Sequence, residues 1–115
     1  MPRLYWATTQ NNLGIAYANL PTGERGDNLR RAIACFEATL RVWTERDFPH
    51  DWATTQNNLG IAYANLPTGD RGDNLRRAIE CYEAAARGFD AVGMANEADA
   101  ARTTAEGLQD ELKKG

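Results

Sequence analysis

Residues 6–39 read WATTQNNLGIAYANLPTGERGDNLRRAIACFEAT, and residues 52–85 repeat them with changes at Glu24/Asp70, Ala34/Glu80, Phe36/Tyr82 and Thr39/Ala85 alone. The two copies are offset by 46 residues. A fixed period between about 20 and 50 residues marks units that cannot bury their own apolar faces and must stack on neighbours. In the second copy Trp52, Thr55, Leu59, Ala62, Tyr63 and Leu66 recur at helical spacing, and Pro67 with Gly69 closes the segment. In Gly72-Asp73 the glycine supplies a turn and the aspartate an N-cap, after which Leu75, Ala78, Ile79, Tyr82, Ala85, Ala86 and Phe89 form a second apolar stripe. Each unit is predicted to be a helical hairpin.

Outward from the repeats, the first copy predicts helices near 4–20 and 27–46, the latter running through Leu40 and Trp43 until Phe48-Pro49 stops it. His50 then falls in the loop between repeats. After Gly93 the repeat text is lost, and Ala95–Lys114 turns to alanine, glutamate and lysine, which favour helix. A terminal element of such an array needs a polar outer face, which Asn96, Glu97, Asp99, Arg102, Glu106 and Asp110 provide. The expected architecture is one all-α domain over residues 1–115: repeat one about 4–49, repeat two about 50–93 and a capping helix about 95–114, five helices in tandem antiparallel hairpins. Leu4, Tyr5 and Trp6 open the first hairpin directly, leaving a face that a preceding second helix would cover in a longer array. That cap-free start favours a piece of such an array.

Composition bounds the function classes. With 43% hydrophobic and 25% charged residues, the 115-residue chain has the make-up of one globular domain. A net charge of −3 lacks the basic excess that phosphate neutralisation draws on, so nucleic acid is not an expected partner. No apolar run approaches the roughly 20 residues that span a bilayer, and Met1–Trp6 lacks the apolar stretch of a signal peptide. No membrane partner is expected, and a cytoplasmic location is.

Enzyme chemistry finds little to stand on. The chain has no serine, its one histidine, His50, has no second ligand at metal spacing, and no glycine-rich phosphate loop follows a strand. Cys35 and Cys81 hold equivalent places inside apolar patterns, where burial raises a thiol pKa instead of activating it. No catalytic residue, no metal site and no cofactor are expected. Arg25-Gly26-Asp27 and Arg71-Gly72-Asp73 spell an adhesion tripeptide, but turn and capping chemistry explain both. Arg30-Arg31 and Arg76-Arg77 read as solvated surface, and Trp6, Trp43 and Trp52 as core at the repeat boundaries.

Leu13-Gly14 with Tyr17, Leu59-Gly60 with Tyr63, Ala32 with Phe36, and Ala78 with Tyr82 and Ala85 resemble the tetratricopeptide repeat (TPR) pattern across nearly the whole chain. Small residues such as Gly60 and Ala78 permit close helix approach there. Thr39 stands where the pattern ends in alanine, Gln10 and Gln56 stand where it often has tryptophan, and the period exceeds the common 34 residues by about twelve. Extended repeats carrying Asn-Asn-Leu are similar to those of kinesin light chains and of bacterial repeat arrays. The resemblance implies a solenoid whose first helices line a concave, partner-binding surface.

On those helices Thr8, Asn11, Asn12, Ile15 and Asn19, and in the second copy Thr54, Asn57, Asn58, Ile61 and Asn65, share one face at about 100° per residue. Carboxamides donate and accept, which suits an extended peptide backbone. Asn12 and Asn58 match one asparagine of the clamp with which some TPR proteins grip a C-terminal carboxylate. No lysine precedes Lys113, so the cations of that clamp are missing and a neutral or polar peptide fits better. The expected function is a protein-interaction scaffold with a protein or peptide partner. The alternative is self-association through Leu4, Tyr5, Trp6 and Leu13, as a homo-oligomer or by helix exchange between near-identical repeats.

Overall fold

A computed structural model describes residues 3–115 as five α-helices: α1 Arg3–Ala18, α2 Arg25–Leu40, α3 Pro49–Asn65, α4 Arg71–Ala91 and α5 Ala95–Lys114. No strand occurs among the described residues. Successive helices pack in order, α1 on α2, α2 on α3, α3 on α4 and α4 on α5, with a slight touch between α1 and α3. The shortest dimension is 20 Å, two helix diameters, as expected of a two-layer array of hairpins.

Each hairpin turns through the same device. Gly23 and Gly69 adopt φ of 83° and 80°, a left-handed conformation that a side chain strains. Buried Asn28 and Asn74, in the first turn of the next helix, reach back to the loop, their Nδ2 atoms donating to the carbonyls of Thr22 (2.8 Å) and Thr68 (2.9 Å). The Arg71 guanidinium donates to the Ala64 carbonyl at 2.6 Å, and Arg25 to Ala18 in the same way, satisfying a carbonyl at the end of the preceding helix.

The predicted N-caps Asp27 and Asp73 stand three residues too late. The caps are Glu24, whose carboxylate accepts from Gly26 N (2.7 Å) and Asp27 N (3.1 Å), and Asp70, which accepts from Asp73 N at 2.8 Å. Asp27 and Asp73 instead lie in the first helical turn, where a negative charge favours the helix dipole. Gly26 and Gly72 are helical, and the turn belongs to Gly23 and Gly69. The RGD tripeptides are thereby accounted for by helix starts.

α2 ends at Leu40, not near residue 46, whereas its counterpart α4 runs on to Ala91. The copies part at Thr39, which is Ala85 in α4. The Thr39 hydroxyl donates to the Cys35 carbonyl at 2.9 Å, a back-bond that weakens and bends a helix. Val42, Trp43 and Thr44, poor helix formers, follow. Tight bonds from Arg41 N to Ala38 O and from Val42 N to Thr39 O then turn the chain so that Trp43 is still buried. Phe48-Pro49 consequently begins α3 where it was expected to stop α2: Pro49 occupies the first turn, where its missing N–H costs nothing, and His50 is helical instead of in a loop.

The core explains the repeat's small and aromatic positions. A Cβ at Gly14 would lie 2.6 Å from Phe36 Cε1, and one at Gly60 3.0 Å from Tyr82 Cε2, so each first helix is flattened against the ring of its partner. At the other end of the second hairpin, a Cβ at Gly88 would lie 2.6 Å from Ala53 Cβ and 2.9 Å from the Pro49 carbonyl oxygen. Trp43 and Trp52 are buried as expected, but Trp6 is only half-buried. Cys35 and Cys81 are buried free thiols, and burial pushes Cys81 up to about 12.

α5 keeps the 46-residue register after its text is lost. Ala98, Ala101 and Ala105 are buried and Leu108 and Leu112 half-buried, offset by one period from Trp52, Thr55, Leu59, Ala62 and Leu66. The positions that in α3 face α4, namely Ala53, Gly60 and Tyr63, become Asp99, Glu106 and Gln109. α5 is thus a first helix with its second contact face made polar, and all six polar residues expected on its outer surface are exposed.

Candidate functional site

The face expected to meet a partner is carried by α1 and α3 and extended by α5. Thr8, Asn12 and Ile15 of α1 and Asn19 just beyond its end are exposed, and Asn11 is half-buried. On α3, Thr54, Asn57 and Asn58 are half-buried while Ile61 and Asn65 are exposed. Asn19 and Asn65 spend their amide on their own helix, donating to Ile15 O (3.0 Å) and Ile61 O (2.8 Å). The Thr8 hydroxyl donates to Leu4 O at 3.1 Å. These three side chains have less to offer an incoming backbone than Asn57, whose surroundings differ.

Between α3 and α5, floored by α4, lies a cleft of about 320 Å³ lined by Asn57, Ile61, Tyr82, Phe89, Glu97, Ala100, Ala101 and Thr104. That is the lower end of ligand-sized cavities, room for one or two side chains. Its floor is the buried rings of Tyr82 and Phe89, and its rim carries a carboxamide, a carboxylate and a hydroxyl. Burial holds the Tyr82 phenol above its ordinary pKa, so the floor is neutral at any physiological pH. An apolar side chain entering here would displace water from aromatic surface, while Asn57 can donate to and accept from main chain beside it and Thr104, whose hydroxyl already donates to the Ala100 carbonyl at 3.0 Å, can only accept.

The matching place between α1 and α3 is spanned by a hydrogen bond. There the Thr55 hydroxyl donates to Asn11 Oδ1 at 3.4 Å, bridging the two helices. One period on, the partner of Asn57 is Ala101, which has no hydroxyl to reach across. The bridge is lost and Ile61 and Asn57 border open space instead. A hydrogen bond thus spans the two first helices at the first joint, and a cleft lies between them at the second.

Of the ten residues expected on this face, the cleft gathers Asn57 and Ile61 and leaves the others along the surface on either side. Tyr82, Phe89, Glu97, Ala100, Ala101 and Thr104 were not anticipated. The periodicity held a signal for two of them: Ala100 and Thr104 stand one period beyond Thr54 and Asn58. The four residues considered for self-association also separate. Leu13 is exposed, Trp6 half-buried beside it, and Leu4 and Tyr5 exposed, with Leu4 turned about 180° away from Leu13 on the helical wheel.

A second cleft of about 400 Å³ lies between α2 and α4 over α3, lined among others by Glu37, Trp52, Tyr63, Arg77 and Arg87. Its aromatic faces are already taken, Arg77 standing 5.7 Å over Tyr63 and Arg87 5.7 Å over Trp52, and the Tyr63 hydroxyl donates to Glu37 at 3.3 Å. Nor do the paired arginines form a basic patch. Arg30 and Arg76 pair with Asp27 (3.0 Å) and Asp73 (2.9 Å), Arg31 lies 5.8 Å over Tyr17, and Arg71 pairs with Glu111 at 2.9 Å. His50 is exposed, 3.4 Å from Asp51. Among the described residues no helix is long and apolar enough to cross a membrane.

Compared with family models, with curated proteins and with solved structures, the chain matches none.

Proposed function

We propose that this chain is a TPR-like protein-interaction module that holds an extended peptide or a partner's loop along the face of α1, α3 and α5, with an apolar side chain seated in the α3–α5 cleft. The observation that carries the reading is the cleft itself. Buried aromatic rings form its floor, and the Asn57 carboxamide and Glu97 carboxylate stand at its rim, on the same face as the repeated asparagines. Binding, not catalysis, is the chemistry these groups suit. Carboxamide and hydroxyl groups hold main chain, aromatic rings take apolar side chains, and Glu97 favours a basic residue next to the anchor. The TPR resemblance supports the same reading, because it makes these first helices the lining of a concave surface.

The test is selection of binders from a displayed library of random peptides against the full chain. Peptides with an apolar anchor should be enriched, and Ile61→Asp at an exposed position with Asn57→Arg at a half-buried one should weaken them at least tenfold while leaving helicity unchanged. Enriched peptides that bind the double variant as well as the wild type would place the binding surface elsewhere, and a library that yields no enrichment would refute the reading.

A further inference from the structure

The stripe formed by Trp6, Thr9, Leu13 and Ala16 of α1 with Leu20 just beyond it is identical, residue for residue, with Trp52, Thr55, Leu59 and Ala62 of α3 and Leu66 just beyond it. On the second copy Leu59, Ala62 and Leu66 of that stripe pack with Leu29, Ala32, Ile33 and Phe36 of α2, and Leu59 is 5% exposed; on the first copy Leu13 is 42% exposed and Leu20 39%. The structure therefore already contains the complex that the α1 stripe is shaped for, which is a helix carrying the α2 face. α4 is such a helix. It keeps Leu29 and Ile33 as Leu75 and Ile79, Phe36 as Tyr82, and Trp43 as Phe89.

The polar edges of the joint recur as well. At the α2–α3 joint Glu37 accepts from the Tyr63 hydroxyl, and Arg30 donates to the Thr68 hydroxyl at 2.7 Å. Their equivalents are Glu83 and Arg76 at one end of the molecule and Tyr17 and Thr22 at the other. What occupies the α4 side is α5, and it does so as a stand-in. Gln109, one period after Tyr63, donates to Glu83 at 3.4 Å, and Ala98 and Ala105 lie where α3 has Trp52 and Leu59.

We propose that a second copy of this chain docks head to tail, its α1 stripe replacing α5 on α4, so that α5 is a removable cap that limits assembly. Trp6, Leu13 and Leu20 offer more apolar surface than Ala98, Ala105 and Leu112, while α5 has the advantage of being tethered, which amounts to a local concentration of order mM. The cap therefore wins in dilute solution and the second copy wins as concentration rises. The contact is heterologous and open, so the product grows beyond a dimer.

The experiment is light scattering on the full chain across a concentration series, with amide hydrogen exchange over residues 95–114 read on the same samples. Ala101→Glu with Ala105→Glu puts two charges into the buried face of α5 and should release it, giving fast exchange there and a mass that rises more than twofold with concentration. Adding Leu13→Asp, at an accessible position, should return the mass to that of a monomer. A released α5 with a mass that stays monomeric overturns the proposal. So does assembly that survives Leu13→Asp, which would mean that the bared α4 face sticks without regard to α1. The outcome does not depend on whether the α3–α5 cleft binds peptides.

Discussion

Two glycines in helix interiors, Gly88 and Gly107, allow the spacing of α3 and α4 to be weighed on one scale. Replacing glycine by alanine inside a helix favours folding by about 0.8–1.0 kcal/mol, through the backbone entropy that alanine does not lose. At Gly107 no atom lies within 4 Å of the new Cβ, so the gain should appear undiminished. At Gly88 the Cβ would sit 2.6 Å from Ala53 Cβ and 2.9 Å from the Pro49 carbonyl oxygen. A main-chain atom cannot swing aside as a side chain can, so α3 must move bodily, and the cost belongs at the top of the overpacking range, about 3 kcal/mol. The net expectation is that Gly88→Ala destabilises by about 2 kcal/mol while Gly107→Ala stabilises by about 1, a difference near 3. Urea unfolding followed by far-ultraviolet circular dichroism measures both. A Gly88→Ala protein as stable as Gly107→Ala would refute the claim that this glycine sets the distance between the two helices.

Asn74→Ala removes the donor that holds the Thr68 carbonyl and should cost about 1–3 kcal/mol, seen as a lower urea midpoint, because the loop carbonyl loses its partner near buried surface. Asp70→Ala should cost about 1 kcal/mol in the same assay through loss of the α4 cap, whereas Asp73→Ala, expected from sequence to be the capping change, should cost less. Cys81 is an acid whose folded pKa is raised by burial from 9.0 to about 12, so its contribution to stability is complete below pH 9 and falls as pH rises toward 12. Unfolding midpoints measured over that range should decline more steeply in the wild type than in Cys81→Ala, and equal slopes would contradict the burial. The same thiol should resist alkylation in folded protein at pH 8, and become reactive in urea.

The hairpins were legible because the period repeats almost word for word and because alternating apolar stripes force helices to pair. α5 was placed to the residue, since Gly93 and the change in composition bound it on one side and the chain end on the other. Other features depended on choices that short-range patterns do not settle. Glu24-Arg25-Gly26-Asp27 holds two acids, either of which can cap a helix; the earlier one does so, with Arg25 beside it, as Arg71 is beside Asp70, reaching back to the preceding helix. The early end of α2 turned on Thr39, which the sequence marks as a departure without saying that its hydroxyl bonds back to Cys35. The α3–α5 cleft was half visible: Asn57 and Ile61 lay on the expected face, but its floor comes from rings that a sequence assigns to core. Ala101 lines it without the hydroxyl by which Thr55 reaches Asn11, and the kinship of Ala101 to Thr55 emerges only when α5 is set in register.

The unequal exposure of Leu13 and Leu59 bears on how two copies of a duplicated text drift apart. Within the described residues α3 keeps Leu59 under α2, while Leu13 of α1 is packed over only part of its surface. Mutation should therefore erode Trp6, Thr9, Leu13, Ala16 and Leu20 toward polar residues well before it touches their counterparts. The four differences within the copied stretch fall elsewhere, at 24/70, 34/80, 36/82 and 39/85, on the capping position and the second helix, and the uncovered stripe is untouched. The half-exposed stripe and its buried counterpart thus still carry the same letters.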